Sequence, residues 1–214
     1  MSQKTFIHND EERDCGCPES PETYKRNAKT INLAIQGGGA HGAYAWGVID
    51  RLLEDGRIKI EGISATSAGS MNAVVTAYGT MTGGRGGARA ALYNFWKKIS
   101  EVGTVYSPLK QTPWEYFQSH WSGNWNMDHS STYQVFDTLT RMFSPYQFNP
   151  TNFNPLRQVL EESVDFDELE KCQTTKLFLS TTNVRTGKVR VFRTEEITSD
   201  VVMASACLPT LFQA

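Results

Sequence analysis

Residues 57–77 read RIKIEGISATSAGSMNAVVTA, and this stretch decides the fold. The β-branched residues Ile58, Ile60 and Ile63 predict a strand. Apolar residues then recur at positions 71, 74, 75 and 78, which is the spacing of one face of a helix. Only small residues lie between the two patterns, so the sequence predicts a strand, a sharp turn and a helix, with Ser67 at the apex of the turn.

A serine in such a turn matches the nucleophile-elbow pattern Gly-x-Ser-x-Gly, with Ala65 in place of the first glycine. An elbow exposes the serine hydroxyl above the sheet and directs the N–H groups of the following helix toward a bound group. The alternative is that Thr66 or Ser67 only caps the helix. The turn taken alone leaves both interpretations open.

Composition limits the class of protein. The 214 residues, 39% of them hydrophobic, are enough for one sizeable core and a single domain. A net charge of −2 and a pI near 6.1 give no strong attraction to nucleic acid, which we do not expect as a partner. No apolar run is long enough to span a bilayer, and the N-terminus lacks the apolar segment of a secretory signal. We expect a cytoplasmic protein.

Residues 1–29 are polar and mixed in charge, without periodicity, which predicts a disordered tail ahead of a domain over residues 30–214. The cysteines form neither a disulfide framework nor a zinc motif, because Cys15 and Cys17 have one residue between them and Cys172 and Cys207 lie far apart. We expect Cys172 and Cys207 to be partly buried, and no metal or other cofactor.

A second glycine-rich turn precedes the serine turn. Residues 30–36 alternate apolar and polar side chains and predict a strand, which leads into Gly-Gly-Gly-Ala-His-Gly at residues 37–42. A helix follows and ends at Gly56, a residue suited to a C-cap. The helix residues expected on its buried face are Ala45, Val48, Ile49 and Leu52. Alternation of strands and helices predicts an α/β fold with a mainly parallel sheet.

One interpretation of the glycine-rich turn is a dinucleotide site. Gly37, Gly39 and Gly42 fit the Gly-x-Gly-x-x-Gly pattern after a strand, which would make the protein an oxidoreductase. That pattern needs an acidic residue about 20 positions later, at the end of the second strand. Glu61 lies at this distance, but it falls in the middle of the strand, and the strand ends in the serine turn.

The other interpretation is an oxyanion hole. Acyl transfer from an ester passes through a tetrahedral oxyanion, and backbone N–H groups held close to it stabilise its charge. Gly37, Gly38 and Gly39 can supply such groups, together with the N–H of Ala68, the residue after Ser67. A glycine loop after one strand and a serine elbow after the next are more specific together than either is alone.

Two later segments have competing interpretations. Residues 80–88 contain Gly-Gly-Arg-Gly-Gly, which predicts a flexible hinge loop more strongly than an RNA contact, because it is not repeated. Residues 103–155 are irregular and rich in aromatic side chains, and we expect helices packed over the sheet. They form either a cap that lines an apolar substrate pocket, which we favour, or a second hydrophobic cluster.

The C-terminal third predicts three further elements. Asn154 and Pro155 are suited to the N-cap and first position of a helix. Residues 176–184 and 189–192 predict a β-hairpin around the turn at residues 185–188, with basic side chains on a solvated face. Ser199 and Asp200 predict the cap of a last helix.

In these blocks the sequence resembles the patatin-like phospholipases. The blocks are QGGGAHGAYAWGVID from residue 36, SATSAGSMNAVV from residue 64, NPLRQVLEESVDF from residue 154, KLFLSTTNVRTGKVRVF from residue 176 and VVMASACLPTLF from residue 201. The resemblance implies a three-layer α/β/α sandwich with a mainly parallel central sheet. It also implies a serine lipid acyl hydrolase with a Ser–Asp dyad, in which Ser67 is the nucleophile and residues 37–39 and Ala68 form the oxyanion hole.

Three positions depart from the resemblance. Ala65 replaces a glycine, and we expect the turn to tolerate it. His41 stands where a cation is usual, and we interpret it as a loop residue rather than as a base for Ser67. The dyad aspartate belongs to an Asp-Gly-Gly/Ala motif that the 214 residues do not contain, and neither Asp128 nor Asp200 matches it. We expect that aspartate to lie outside this chain, with the C-terminal part of the domain.

The resemblance also implies the partners. The expected substrate is a phospholipid or another lipid ester, with peripheral contact to a membrane and a second chain as a candidate carrier of the C-terminal part. The alternative to catalysis is a lipid-binding or protein-binding remnant that has lost its base, since a serine without a base is a poor nucleophile.

Overall fold

The computed structural model describes residues 28–106, 113–123, 130–142, 144–209 and 211–213. Four strands of these residues form one sheet in the order β1-β2-β3-β4: Lys29–Ile35, Ile58–Ala65, Lys176–Thr182 and Val189–Arg193. The first three strands run parallel, and β4 is antiparallel to β3. The expected α/β class and mainly parallel sheet are confirmed, as is the hairpin of β3 and β4.

Helices follow the strands in the expected alternation. Their bounds are α1 Gly42–Asp55, α2 Ala68–Tyr106, α3 Pro113–Ser122, α4 Ser131–Met142, α5 Pro145–Phe148, α6 Pro155–Glu161, α7 Phe166–Leu169 and α8 Ser199–Ala206. Short 3₁₀ turns occupy Gly39–His41 and Thr194–Glu196. The core lies between the sheet and α2, where the fully buried side chains include Ile63, Val74, Val75, Leu177 and Leu179.

Helix α1 ends as expected but buries a different face. Gly56 is the C-cap and has a left-handed φ of 69°, which glycine adopts without strain. Ile49 and Leu53 are almost fully buried, whereas Val48 is 46% exposed. The buried face of α1 therefore includes the predicted Ile49 but is rotated by part of a turn from the predicted face. The reason is that α1 packs on α2 and β2 through Ile49 and Leu53.

The expected loop at residues 80–88 is reduced to a two-residue break, since the residues on either side of Gly83 and Gly84 belong to α2. Only Gly83 and Gly84 have non-helical dihedral angles, and the helix folds back on itself there. In a straight helix Gly79 and Gly87 would lie about 12 Å apart. A Cβ built on Gly79 would instead lie 2.9 Å from the Gly87 carbonyl oxygen, so the two halves of α2 pack directly on each other.

The arginine of this glycine-rich segment has a structural contact. Arg85 Nη1 donates to the Leu53 carbonyl oxygen at 2.6 Å, at the C-terminal end of α1. A cation there interacts favourably with the carbonyl groups that the helix leaves without intrahelical partners. Arg85 thereby joins the fold-back of α2 to the end of α1, which favours the hinge interpretation over the RNA contact.

The aromatic segment forms helices, as predicted for residues 103–155. Its described aromatic side chains do not join the core: Trp114 is 71% exposed and Trp121 is 86% exposed. Trp114 stacks on Phe117 within α3. Trp125, Phe143, Asp128 and His129 lie outside the described residues, as do residues 1–27 with Cys15 and Cys17.

Two caps complete the comparison with the sequence. Asn154 caps α6 as predicted, and its side chain accepts a hydrogen bond from the Leu156 N–H. The last helix is capped by Thr198, not by Ser199 or Asp200, because the Thr198 side chain accepts from the Val201 N–H.

Of the cysteines, Cys172 is buried and Cys207 is half-buried, and burial raises the pKa of the Cys207 thiol.

Candidate active site

Ser67 occupies the sharp turn between a buried strand and a buried helix. Strand β2 ends at Ala65 and helix α2 begins at Ala68. Ser67 has a φ of 55°, a left-handed conformation that is uncommon for a residue other than glycine. Its carbonyl oxygen accepts from the Ser70 N–H at 2.8 Å, which starts the helix. The geometry is that of the elbow predicted from the sequence, and the turn forms with alanine at position 65.

The glycine after the elbow is required by close packing. A Cβ on Gly69 would lie 2.5 Å from the Ile35 carbonyl oxygen, closer than real Cβ contacts come. The end of β1 therefore passes directly over the first turn of α2. This close approach brings the loop that follows β1 to the side of Ser67.

The loop of residues 37–39 lies beside the serine, as the oxyanion hypothesis requires. A Cβ on Gly37 would lie 2.7 Å from Ser67 Cβ and 3.4 Å from Ser67 Oγ. Gly38 and Gly39 have φ values of 154° and 55°, which side chains disfavour. Among the described residues, no acceptor is found for the N–H groups of Gly38, Gly39 or Ala68. These groups can donate to a ligand.

A buried asparagine joins the glycine loop to the elbow helix. Asn72 is fully buried in the first half of α2. Its Nδ2 donates to the Gly42 carbonyl oxygen at 2.9 Å, at the start of α1, and its Oδ1 accepts from Trp96 Nε1 at 2.8 Å. The two helices that follow the two turns are thus held together by hydrogen bonds as well as by packing.

The candidate bases are engaged elsewhere. Among the described residues, no side chain forms a hydrogen bond with Ser67 Oγ. His41 is exposed, and its Nδ1 lies 3.1 Å from the Gly38 carbonyl oxygen, within its own loop. Asp200 accepts from Arg157 Nη2 at 2.6 Å, and this contact raises the pKa of Arg157. The interpretation of His41 as a loop residue agrees with this geometry.

The dinucleotide hypothesis gains no support at Glu61. Its side chain is exposed and lies 3.6 Å from Lys176 Nζ, a residue at the start of β3. Glu61 stands four residues before the end of β2, about 13 Å along the strand. A ribose bound at the glycine loop would need an acid at the strand end, where the serine turn lies instead.

A cleft of about 660 Å³ adjoins the elbow. Thr66, Ser180 and Ser205 line its side toward the turn, and Asn154, Arg157 and Phe212 line other parts of it. Its volume is within the range of small-molecule sites. Of residues 103–155, only Asn152 and Asn154 line the cleft, so the expected aromatic lining by that segment is absent from it among the described residues.

Sequence patterns missed the side chains that support the turn. Ser205, in the last turn of α8, accepts from the Ser67 N–H at 2.9 Å. Asn72 and Trp96 form the buried pair described above. The block around Ser205 was part of the family resemblance, but no spacing rule connects residues 138 positions apart, so nothing in the sequence assigned it to the elbow.

Neither a metal site nor a membrane-spanning helix is found among the described residues. No group of three or more His, Cys, Asp or Glu side chains there could hold a metal ion. No described helix combines the length and the apolar character needed to cross a membrane.

Comparison with known proteins identifies the family. The model of the patatin-like phospholipase family matches residues 33–214, and the chain therefore belongs to this family. No curated protein matches the chain. It is similar to a chain of the ExoU–SpcU complex from the type III secretion system of Pseudomonas aeruginosa, with 18% identity, 84% of this chain and 39% of the other covered, and a TM-score of 0.39.

A second solved structure resembles this chain to a similar degree in identity and TM-score. VipD from Legionella pneumophila is 16% identical over 89% of this chain and 44% of its own, with a TM-score of 0.38. This chain therefore spans about two-fifths of the length of the solved chains that it matches.

Proposed function

We propose that this protein is a serine acyl hydrolase that acts on carboxylic esters of lipids, in the manner of a phospholipase A or esterase. The observation that carries the proposal is the pairing of Ser67 at a φ of 55° with Gly37 packed against its side chain. A helix cap does not need a glycine loop at its side. Nucleophilic catalysis needs the serine and the oxyanion donors within one small volume.

The proposed reaction has two steps. Ser67 Oγ attacks the ester carbonyl carbon while its proton passes to a general base, and the alcohol then leaves with that proton. Water, deprotonated by the same base, attacks the acyl-enzyme, which releases the fatty acid and restores the Ser67 hydroxyl. The charge of each tetrahedral intermediate is held by N–H groups of residues 37–39 and of Ala68.

The general base in this proposal is an aspartate that the 214 residues do not supply. Asp200, Glu61 and His41 have other contacts, as stated above, and the family resemblance implies a Ser–Asp dyad. A further segment or a second chain that brings this aspartate to Ser67 is the partner we propose. The cleft beside Thr66 and Ser205 is the candidate site for the rest of the substrate.

A lipid substrate requires contact with a membrane surface, and no membrane-spanning helix is found among the described residues. Trp114 and Trp121 on α3 are largely exposed, and exposed aromatic rings are suited to the interface between lipid and water. We propose peripheral membrane contact from the cytoplasmic side. No cofactor is required by the proposed chemistry.

The decisive experiment is fluorophosphonate labelling of the protein together with the segment or second chain that supplies the aspartate, followed by denaturing mass spectrometry and peptide mapping. We expect one adduct on Ser67 in the wild type and none in Ser67→Ala. The matched control is Ser64→Ala, because Ser64 lies three residues earlier on β2 and only contacts the Leu33 carbonyl oxygen. It should be labelled like the wild type.

An unlabelled wild type, or labelling that survives in Ser67→Ala, would contradict the proposal. A folded but unlabelled protein that still binds lipid vesicles would instead support a binding module without catalysis. The substrate is tested by fatty-acid release from phosphatidylcholine vesicles and by hydrolysis of p-nitrophenyl butyrate. Hydrolysis of the small ester alone would contradict the assignment to lipids.

A further inference from the structure

Ser205 makes contacts that the catalytic scheme does not use. It lies in the last turn of α8, beside the elbow. Its Oγ accepts from the Ser67 N–H at 2.9 Å. The same hydroxyl lies 2.7 Å from the Ser180 carbonyl oxygen on β3 and 3.0 Å from Ser70 Oγ on α2. Three separate elements of the fold thus meet at one side chain.

The number of protons decides the direction of each hydrogen bond. A serine hydroxyl has one proton to donate and two lone pairs that accept. The Ser180 carbonyl can only accept, so the Ser205 proton goes there. The Ser70 hydroxyl, which is fully buried, must then donate to Ser205 Oγ. Ser205 accepts from Ser67 and Ser70 and donates to Ser180, and its hydrogen-bonding capacity is complete.

Because Ser205 donates its proton to a backbone carbonyl and accepts from a backbone N–H, its partners suit a role in support. Left-handed φ values of residues other than glycine persist only where the surroundings hold them. The carbonyl group of Ser67 is held by the first turn of α2. Its N–H group points the other way, and Ser205 is the described residue that accepts from it.

We infer that Ser205 is a positioning residue for the nucleophile. It holds the Ser67 backbone in the left-handed conformation that presents Oγ beside the glycine loop. This inference rests on the proposed function of Ser67, but the backbone contact can be measured without any activity.

The test uses two readouts on the full chain. Amide hydrogen exchange at Ser67, followed by NMR, reports the hydrogen bond itself, and the rate of fluorophosphonate labelling reports the presentation of Oγ. In Ser205→Ala we expect exchange at Ser67 to be about tenfold faster and labelling about tenfold slower, the effect of losing one hydrogen bond. Ser205→Thr keeps the hydroxyl and should stay within about twofold of the wild type in both.

The matched control is Thr198→Ala. Thr198 caps the same helix by accepting from the Val201 N–H, so this variant destabilises α8 without touching Ser67. It should change exchange at Ser67 no more than exchange at other core amides. If Ser205→Ala does not fold, Ser205→Cys replaces it, because a thiol is nearly the same size and a weak acceptor. The same directions are expected.

Three outcomes are distinguishable. Exchange at Ser67 that is unchanged in Ser205→Ala, or in Ser205→Cys where that replaces it, overturns the inference, as does normal labelling despite faster exchange. A wild type that is not labelled even together with the segment or second chain that supplies the aspartate contradicts the proposed function. Faster exchange at Ser67 in that case would still establish that Ser205 holds the turn.

Discussion

Replacing Asn72 with alanine should lower the free energy of unfolding by about 2–4 kcal/mol. The fully buried amide donates to the Gly42 carbonyl oxygen at 2.9 Å and accepts from Trp96 Nε1 at 2.8 Å. Losing one ordinary hydrogen bond costs about 1 kcal/mol, and leaving the indole N–H without its partner costs about 1–3 kcal/mol. Urea unfolding followed by circular dichroism measures the sum.

Two companion variants separate the contributions. Asn94 is exposed on the same helix, and Asn94→Ala should stay within about 0.5 kcal/mol of the wild type. Trp96→Phe removes only the indole donor and should cost about 1–2 kcal/mol. The double variant of Asn72 and Trp96 should be more stable than additivity predicts by about 1 kcal/mol, because both changes remove the same hydrogen bond.

The reasoning would be refuted if Asn72→Ala lost less than about 0.5 kcal/mol, or if the losses at Asn72 and Trp96 were additive. The first result would mean that the Asn72 amide does not hold α1 and α2 together, and the second that Asn72 and Trp96 do not share a stabilising hydrogen bond within α2. Labelling of Ser67 gives an independent check, since Gly42 directly follows the glycine loop. We expect Asn72→Ala to be labelled more slowly than Asn94→Ala.

Three further predictions concern other parts of the fold. Gly69→Ala places a Cβ 2.5 Å from the Ile35 carbonyl oxygen, so β1 must move, and we expect loss of Ser67 labelling together with a lower melting temperature. Arg85→Met removes the donor to the Leu53 carbonyl oxygen and should cost about 1–2 kcal/mol in urea unfolding; an unchanged midpoint would rule out the capping role. A backbone N–H and a nearby arginine lower the pKa of Glu196, so its stabilising contribution is present above the unfolded value of about 4.3 and is lost as the pH falls through the folded value. Glu196→Gln should therefore lose less stability than the wild type between pH 6 and pH 3, and parallel curves would contradict this.

Several expectations failed where tertiary packing overrides a local pattern. The glycine-rich residues 80–88 were predicted as a loop because glycine disfavours helices. They are helical except at Gly83 and Gly84, where α2 folds back, and Gly79 and Gly87 allow its two halves to approach each other. The buried stripe of α1 was displaced for a related reason, since its neighbours α2 and β2 select which residues lie inside.

Features that depend on neighbouring residues follow from short stretches of the sequence. The strand, turn and helix around Ser67, the glycine loop at residues 37–39 and the cap at Asn154 were all predicted, because each follows from short-range backbone preferences. Two such turns after adjacent parallel strands must also lie at the same edge of the sheet, which places the loop and the serine together.

The side chains that hold that arrangement in place come from distant parts of the chain and meet only in the folded protein. Ser205 reaches Ser67 across 138 positions, and Trp96 reaches Asn72 only because α2 folds back at Gly83 and Gly84. Hydrogen bonds of this kind follow no periodicity along the chain. They depend on where whole helices come to lie, which is fixed by the burial of the shared core.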